Sequence, residues 1–253
     1  MKIACIQLNI AWENPVKNLN HAEAFIKQAK CDACDLIVFP EMFNSGFSMN
    51  SSVVAEPVKG ITSQKLSELA KKHQINIIAG LTEIKDSIAS NIAIMVGRNG
   101  VLKAKYIKNY PYSHAGEDKS YIAGDQQVVF EIDDTKASMF ICYDLRFPEL
   151  FRKVAKQVQV IFVIANWPEI RQDHWQTLLK ARAIENQCFV VGVNRSGSDG
   201  NGLKYIGGSQ VFDPSGVSIS KSVKLQEYLL TEINISDVNI VRTALPFLKD
   251  VKD

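Results

Sequence analysis

Val160-Ile161-Phe162-Val163-Ile164-Ala165 runs six residues without a polar interruption, and Asn166-Trp167-Pro168 follow at once. A strand apolar at every position is covered on both faces, as the central strands of parallel sheets are. Leu36-Ile37-Val38-Phe39 has the same character in the first half and runs into Pro40-Glu41. Working outward from Leu36, residues 3–8 read as a strand, and 16–29 as a helix with Leu19, Ala22, Ile26 and Ala29 at helical spacing. A second helix is predicted over 62–72, with Thr62 or Ser63 as its cap. Strands are predicted over 75–80 and 93–96, and Asn99-Gly100 turns the chain into another over 101–107.

The second half repeats this order. Residues 138–142 form a strand, and Pro148 opens a helix through Leu150, Phe151 and Val154. After the strand at Val160, a helix over 171–187 carries Trp175, Leu178, Leu179, Arg182 and Ala183 on or near one face. A strand over 189–193 follows, and Asp213-Pro214-Ser215-Gly216 turns between two more. Two similar sheets, each needing helices on its outer face, pack as a four-layer α-β-β-α sandwich of the α/β class. No Pro/Ser-rich linker or low-complexity stretch divides the chain, so residues 1–253 are expected to form a single domain.

Composition narrows the function. Of 253 residues, 46% are hydrophobic and 22% charged, and 29 Lys and Arg against 27 Asp and Glu leave a formal charge of +2. That balance provides no basic face for nucleic acid or an anionic membrane. The apolar runs fall far short of the ~20 residues that span a bilayer. Met1-Lys2 leads straight into a strand, without the pattern of a secretory signal. The five cysteines (5, 31, 34, 142 and 188) are odd in number and mostly lie in apolar surroundings, the profile of a reduced cytoplasmic protein.

In sheets of this kind function collects just beyond the carboxyl ends of strands. Glu41, Lys108 and Cys142 each interrupt the pattern there. Singly, each has an ordinary explanation; together they describe a chemistry. A thiol attacks a carbonyl carbon only when deprotonated, so it needs a base or a positive neighbour. A carboxylate in a desolvated pocket serves as general base and then general acid. A lysine beside both stabilises the oxyanion, helped by the backbone N–H after the nucleophile. Such a set splits a C–N bond through a thioester, which water then releases.

Phe39-Pro40-Glu41, Tyr106-Ile107-Lys108 and Cys142-Tyr143-Asp144-Leu145-Arg146-Phe147-Pro148-Glu149 resemble, in order and spacing, the three motifs of the nitrilase superfamily of carbon–nitrogen hydrolases. The segment from Pro40 to Phe47 is similar to the omega-amidase branch, as are Ala165-Asn166-Trp167-Pro168, Ala181 to Gln187 and Asn194 to Gly202. The resemblance implies a four-layer sandwich, usually a homodimer, that deamidates the omega amides of short 2-oxo acids such as 2-oxoglutaramate and 2-oxosuccinamate. It implies Glu41 as general base, Lys108 as oxyanion stabiliser and Cys142 as nucleophile. Glu117, nine residues after Lys108, matches a second glutamate that orients the lysine and contacts the substrate amide. Tyr143 and Trp167 are expected to bind substrate. Arg195, following a core strand, is one candidate for the partner of the substrate's free carboxylate, because an Arg fork suits that geometry; its other reading is a surface or structural ion pair. One departure stands out: where the branch reads His-Leu-Phe after the lysine, this chain reads Asn109-Tyr110-Pro111-Tyr112-Ser113-His114.

The remaining signals are weaker. Cys31-Asp32-Ala33-Cys34 has no second pair or nearby His to complete a metal site and is read as structural. His114 and His174 are alternatives for a Cys-His arrangement, which Glu41 and Lys108 make unnecessary. The glycine-rich stretch 197–202 precedes a strand-like run and so lacks the helix of a phosphate cradle; it reads as a turn. No metal or organic cofactor is expected, and the partner is a small-molecule amide. The rival readings are a nitrilase, an N-carbamoyl amide hydrolase, or a silent homologue that only binds, and the intact Glu41, Lys108 and Cys142 argue against silence.

Overall fold

The computed structural model describes residues 1–220 and 228–252. The chain runs through β1 (Lys2–Ile6), α1 (Pro15–Cys31), β2 (Leu36–Val38), a short α2 (Ser51–Val54) and β3 (Glu56–Pro57). It continues into α3 (Ile61–His73), β4 (Asn76–Lys85), β5 (Ile88–Val96), β6 (Leu102–Ile107) and a one-turn α4 (Glu117–Ser120). Next come β7 (Val129–Ile132), β8 (Thr135–Ile141), α5 (Pro148–Val154), β9 (Val160–Ala165), α6 (Gln172–Asn186) and β10 (Phe189–Asn194). A hairpin of β11 (Ser196–Ser198) and β12 (Lys204–Ile206) precedes β13 (Gln210–Phe212), β14 (Tyr228–Glu232) and α7 (Ser236–Ala244).

The first sheet has the order β14-β1-β2-β4-β5-β6, with β3 also on β4; the second has β13-β10-β9-β8-β7. Each has a parallel centre, β1-β2-β4 and β8-β9-β10, flanked by antiparallel strands. The period of two sorts side chains between layers. Ile3 and Cys5 of β1 enter the core between the sheets with Met139, Phe162 and Val191, while Ala4 and Ile6 face Leu19, Ile26 and Leu66 of the outer helices. On the other side α5 and α6 bury Phe151, Trp175 and Leu179 against the second sheet. The result is the expected α-β-β-α layering. Among the described residues no helix is long and apolar enough to cross a membrane.

The structure departs from the expected elements where polar residues pair with each other. β4 runs past Gly80 and turns at Asp86 and Ser87, both at positive φ, into β5. Thr82 and Glu83 sit opposite Asn91 and Ser90, so the ladder continues where the apolar pattern stops. β7 forms an edge that its mixed composition hid, and β14 returns to pair antiparallel with β1. Gly60, not Thr62 or Ser63, is the N-cap of α3; the Glu56 carboxylate accepts from the Thr62 N–H at 2.7 Å and does the capping from outside. Beyond the Asp213–Gly216 turn Ser218 makes a single bridge to Phe212, and the continuation past Ser220 lies outside the described residues.

Candidate active site

Three strand ends converge over the core. Glu41 follows β2 through Phe39 and Pro40, with the next residue, Met42, at φ 43°. Lys108 follows β6, its N–H bonded to Asn91 O at 2.9 Å. Cys142 follows β8 at φ 47° and opens a helical turn over Cys142–Arg146. A positive φ at a non-glycine residue is sparsely populated and persists only where the surroundings impose it. Here it turns the chain out of β8 and into the helical turn that carries Tyr143 next to the nucleophile.

The side chains form one buried cluster. Lys108 Nζ lies 2.8 Å from Glu41 Oε1 and 2.8 Å from Glu117 Oε2, and each of the three side chains is at most 1% exposed. Asn91 Nδ2 donates to the same two carboxylates, at 2.7 Å to Glu41 Oε1 and 2.8 Å to Glu117 Oε1. The Asn166 N–H donates to Glu41 Oε2 at 2.8 Å, and its Nδ2 donates to the Glu41 carbonyl at 2.7 Å. The Asn166 carbonyl, in turn, faces Cys142 Sγ at 3.7 Å. The structure therefore brings together the four groups expected from sequence and adds Asn91 and Asn166.

Charge decides how the cluster titrates. Burial works against the Lys108 ammonium, but Glu117 and Glu41 outweigh it and hold the lysine above its ordinary range. Burial first, and then the Glu41 carboxylate, push the Cys142 thiol well above its usual value despite the pull of Lys108. Two carboxylates and one ammonium already leave the cluster net negative, so a free thiolate adds a second uncompensated charge. Moving the Cys142 proton to Glu41 keeps the total constant. The geometry thus favours base-assisted attack over a standing thiolate.

Above Sγ opens a cavity of about 110 Å³, walled by Phe47, Tyr112, Tyr143, Trp167, Leu203 and Tyr205, with Arg146 and Arg171 also on its lining. Tyr143 and Trp167 therefore stand where the sequence reading put them. Arg195 does not. It is 0% exposed, and its Nε and Nη2 donate to the carbonyls of Ser196, Ile10 and Ser198 at 2.9–3.3 Å. Its guanidinium lies 4.7 Å from the Tyr205 ring centroid, so it braces the cavity wall from behind. An arginine directly after a core strand reads as pocket-facing until the hairpin that follows folds back and takes its Nε and Nη2 donors, leaving Nη1 buried without a hydrogen-bond partner among the described residues.

The departure at 109–114 is accommodated without disturbing Glu117. Asn109 Nδ2 donates to Ile107 O and Gln126 O, and Tyr110 stacks on Phe147 with centroids 3.6 Å apart. The Tyr112 N–H donates to Glu117 Oε2 at 2.5 Å while its ring joins the cavity wall. His174 Nδ1 faces Arg146 Nη2 at 3.3 Å, and His114 sits in an exposed turn. Cys31 is exposed at the end of α1, whereas Cys34 is buried with its Sγ 3.7 Å from Tyr228 OH. Residues 197–202 run from the end of β11 into the tip of the β11–β12 hairpin, where Asp199 Oδ1 accepts from the Asn201 and Leu203 N–H groups.

Asn91 and Asn166 escaped the sequence reading for different reasons. Asn91 lies mid-strand, in phase with Ala93 and Met95 on the inner face of β5, and that parity is the signal that could have revealed it. Asn166 belongs to the Ala165–Pro168 motif but acts chiefly through its backbone, which no side-chain argument detects.

Comparison with known proteins agrees with this architecture. Residues 2–243 match the carbon-nitrogen hydrolase family model. The chain is 34% identical to 2-oxoglutaramate amidase of Bacillus subtilis, covering 99% of this chain and 97% of that protein. It is 32% identical to the omega-amidase YafV of Escherichia coli K12, covering 100% and 97%. A crystal structure of a CN-hydrolase superfamily protein from Xanthomonas campestris, carrying an arsenic adduct in its active site, superposes with a TM-score of 0.95 at 30% identity, over 100% of this chain and 97% of that one. With the family model spanning nearly the whole sequence, the chain belongs to the carbon-nitrogen hydrolases.

Proposed function

We propose that this chain, acting as one hydrolase domain, removes the terminal amide of short 2-oxo acids through a thioester on Cys142. The observation that carries the reading is the buried Lys108 ammonium held between Glu41 and Glu117 beside the Cys142 thiol. Glu41 takes the Sγ proton as sulfur attacks the amide carbon. Lys108 Nζ and the Tyr143 N–H stabilise the oxygen that gains the electron pair. Glu41 then gives its proton to the nitrogen, the C–N bond breaks and ammonia leaves. Water enters, loses a proton to Glu41 and attacks the thioester; the C–S bond breaks and the thiol is reprotonated.

Glu117 holds Lys108 and its charge in place, and its Oε1 reaches Asn91 rather than solvent. The small cavity favours a short linear acid, and the names of the full-length relatives support an omega amide of a 2-oxo acid. No metal or cofactor is required, because nucleophile, proton carrier and cation all come from the chain. A cytoplasmic homodimer is part of the same reading, supported by the family resemblance and by five unpaired cysteines.

The test is ammonia release from 2-oxoglutaramate, 2-oxosuccinamate, a nitrile and an N-carbamoyl amino acid, before and after exhaustive chelation. The 2-oxo amides should have the highest kcat/KM, unchanged by chelation. A clear preference for the nitrile or the carbamoyl compound rejects the substrate class.

A further inference from the structure

Lys108 and Cys142 stand on different sheets: Lys108 follows β6 of the first, and Cys142 follows β8 of the second. Ladder hydrogen bonds fix register inside a sheet, so neither ladder sets the distance between the ammonium and the sulfur. One carboxylate crosses that gap. Asp144 Oδ2 accepts from the Tyr106 hydroxyl at 2.8 Å and from the Ile141 N–H at 3.0 Å. Its Oδ1 accepts from the Tyr110 N–H at 2.9 Å. Tyr106 and Tyr110 lie two residues to either side of Lys108, and Ile141 immediately precedes Cys142. The Tyr106 oxygen also accepts from the Asn109 N–H at 3.3 Å, so the bend that presents Lys108 hangs on this pair. Asp144 is fully buried and stands off the cavity wall, where it touches no substrate. Asn166 crosses the same gap for Glu41 through its N–H, at 2.8 Å.

We infer that Asp144 is a positioning residue of the hydrolysis: its carboxylate ties both flanks of Lys108 to the turn that carries Cys142, and so sets where the ammonium stands relative to the sulfur. The inference rests on the amide-hydrolase reading above and deepens it. Negative charge grows on the substrate oxygen only as Sγ bonds to carbon, so the Lys108 contact to it belongs to the transition state. A displaced ammonium therefore costs turnover, while substrate binding, supplied by the aromatic cavity wall, is spared. The two oxygens of Asp144 hold three pieces of chain at once: the strand end before Lys108, the loop after it and the strand end before Cys142. A buried polar network whose members are all satisfied specifies a single geometry.

Two readouts test it: steady-state ammonia release from 2-oxoglutaramate, and the pH midpoint of Cys142 alkylation by iodoacetamide. Tyr106→Phe removes one hydroxyl and leaves every charge of the cluster in place. Its kcat should fall ~10-fold, with KM within ~2-fold of wild type. Asp144→Ala should lower kcat ~100-fold, as a misplacement of ~1 Å does. Asp144→Asn, which keeps one acceptor oxygen, should fall between wild type and Asp144→Ala. The Tyr106→Phe/Asp144→Ala double variant should be no slower than Asp144→Ala, because both changes release the same clamp. Lys108 is the neighbour that lowers the Cys142 thiol, so the alkylation midpoint should rise in Tyr106→Phe as the ammonium leaves its place. A loss of stability alone would leave the midpoint of the folded protein where it was. A folded Tyr106→Phe protein with wild-type kcat, or with an unmoved midpoint, overturns the clamp. Losses that multiply in the double variant, or that appear only in KM, overturn it too. If Asp144→Ala does not fold, Tyr106→Phe alone decides. Absence of ammonia from every amide with the wild-type protein overturns the amidase reading instead, and the alkylation midpoint still judges the clamp.

Discussion

A Cβ on Gly80 would stand 2.6 Å from the Cα of Glu41. The Gly80 N–H donates to Pro40 O at 3.2 Å and its carbonyl accepts from the Phe43 N–H at 2.9 Å, so β4 grips the Glu41 turn on both sides. The missing side chain is what lets that turn lie on the strand. Gly80→Ala should therefore push Glu41 away from Lys108 and lower kcat ~100-fold, the scale of a displacement near 1 Å. Near-normal kcat in a folded Gly80→Ala protein would show that the turn relaxes freely.

Removing the base should free the thiol. Burial and then Glu41 raise the Cys142 thiol, whereas Lys108 lowers it. Glu41→Gln deletes one of the raising charges and keeps the lysine, so the midpoint of iodoacetamide alkylation at Cys142 should fall. Turnover should fall ~10²–10⁴-fold in the same variant, and Cys142→Ala should abolish it. A midpoint that rises in Glu41→Gln contradicts the assigned charge balance.

Asn91 is buried, and its Nδ2, alongside Lys108 Nζ, ties Glu41 to Glu117. Asn91→Leu leaves both carboxylates short of a donor, so kcat should fall ~10–100-fold and stability by ~1–3 kcal/mol. Asn91→Asp puts a third carboxylate beside the pair and should be worse on both counts. Urea unfolding and steady-state kinetics on the two variants measure this ordering.

Arg195 gives a contrast with the cavity arginines. Arg195→Met strips donors from the carbonyls of Ile10, Ser196 and Ser198. The cost should exceed ~2 kcal/mol of stability. At permissive temperature the KM for 2-oxoglutaramate should stay near the wild-type value. A large rise in that KM would return Arg195 to the substrate.

Asp144 makes stability depend on pH in an uncommon direction for a carboxylate. Burial pushes it up to about 7, against the pull of Lys108, the Ile141 and Tyr110 N–H groups and the Tyr106 hydroxyl. The folded value lies above the ~3.9 of an unfolded aspartate, so the proton binds the folded state more tightly. Its contribution is complete below about pH 4 and is lost as pH rises through about 7. Chemical denaturation from pH 5 to 8 should show a decline in the wild-type protein that Asp144→Asn flattens. An equal slope in both proteins assigns the decline elsewhere.

Local sequence settled a large part of this protein. Doubly apolar strands such as Val160–Ala165 announce a central position by themselves, because no other arrangement covers both faces. Glu41 and Cys142 were legible because each breaks an apolar strand at its end, and Lys108 because it follows the mixed strand β6 at the matching position. What pairing between distant segments decides was hidden. Asn91 becomes part of the site only when register sets it beside Lys108, and β14 reaches β1 across more than two hundred residues. Arg171 and Arg195 carry the same side chain, and nothing local separates them. The β11–β12 hairpin turns Arg195 toward backbone carbonyls, while the turn before α6 leaves Arg171 on the cavity wall. A guanidinium's role follows from which acceptors lie within its reach, and those acceptors are supplied by chain far away in sequence.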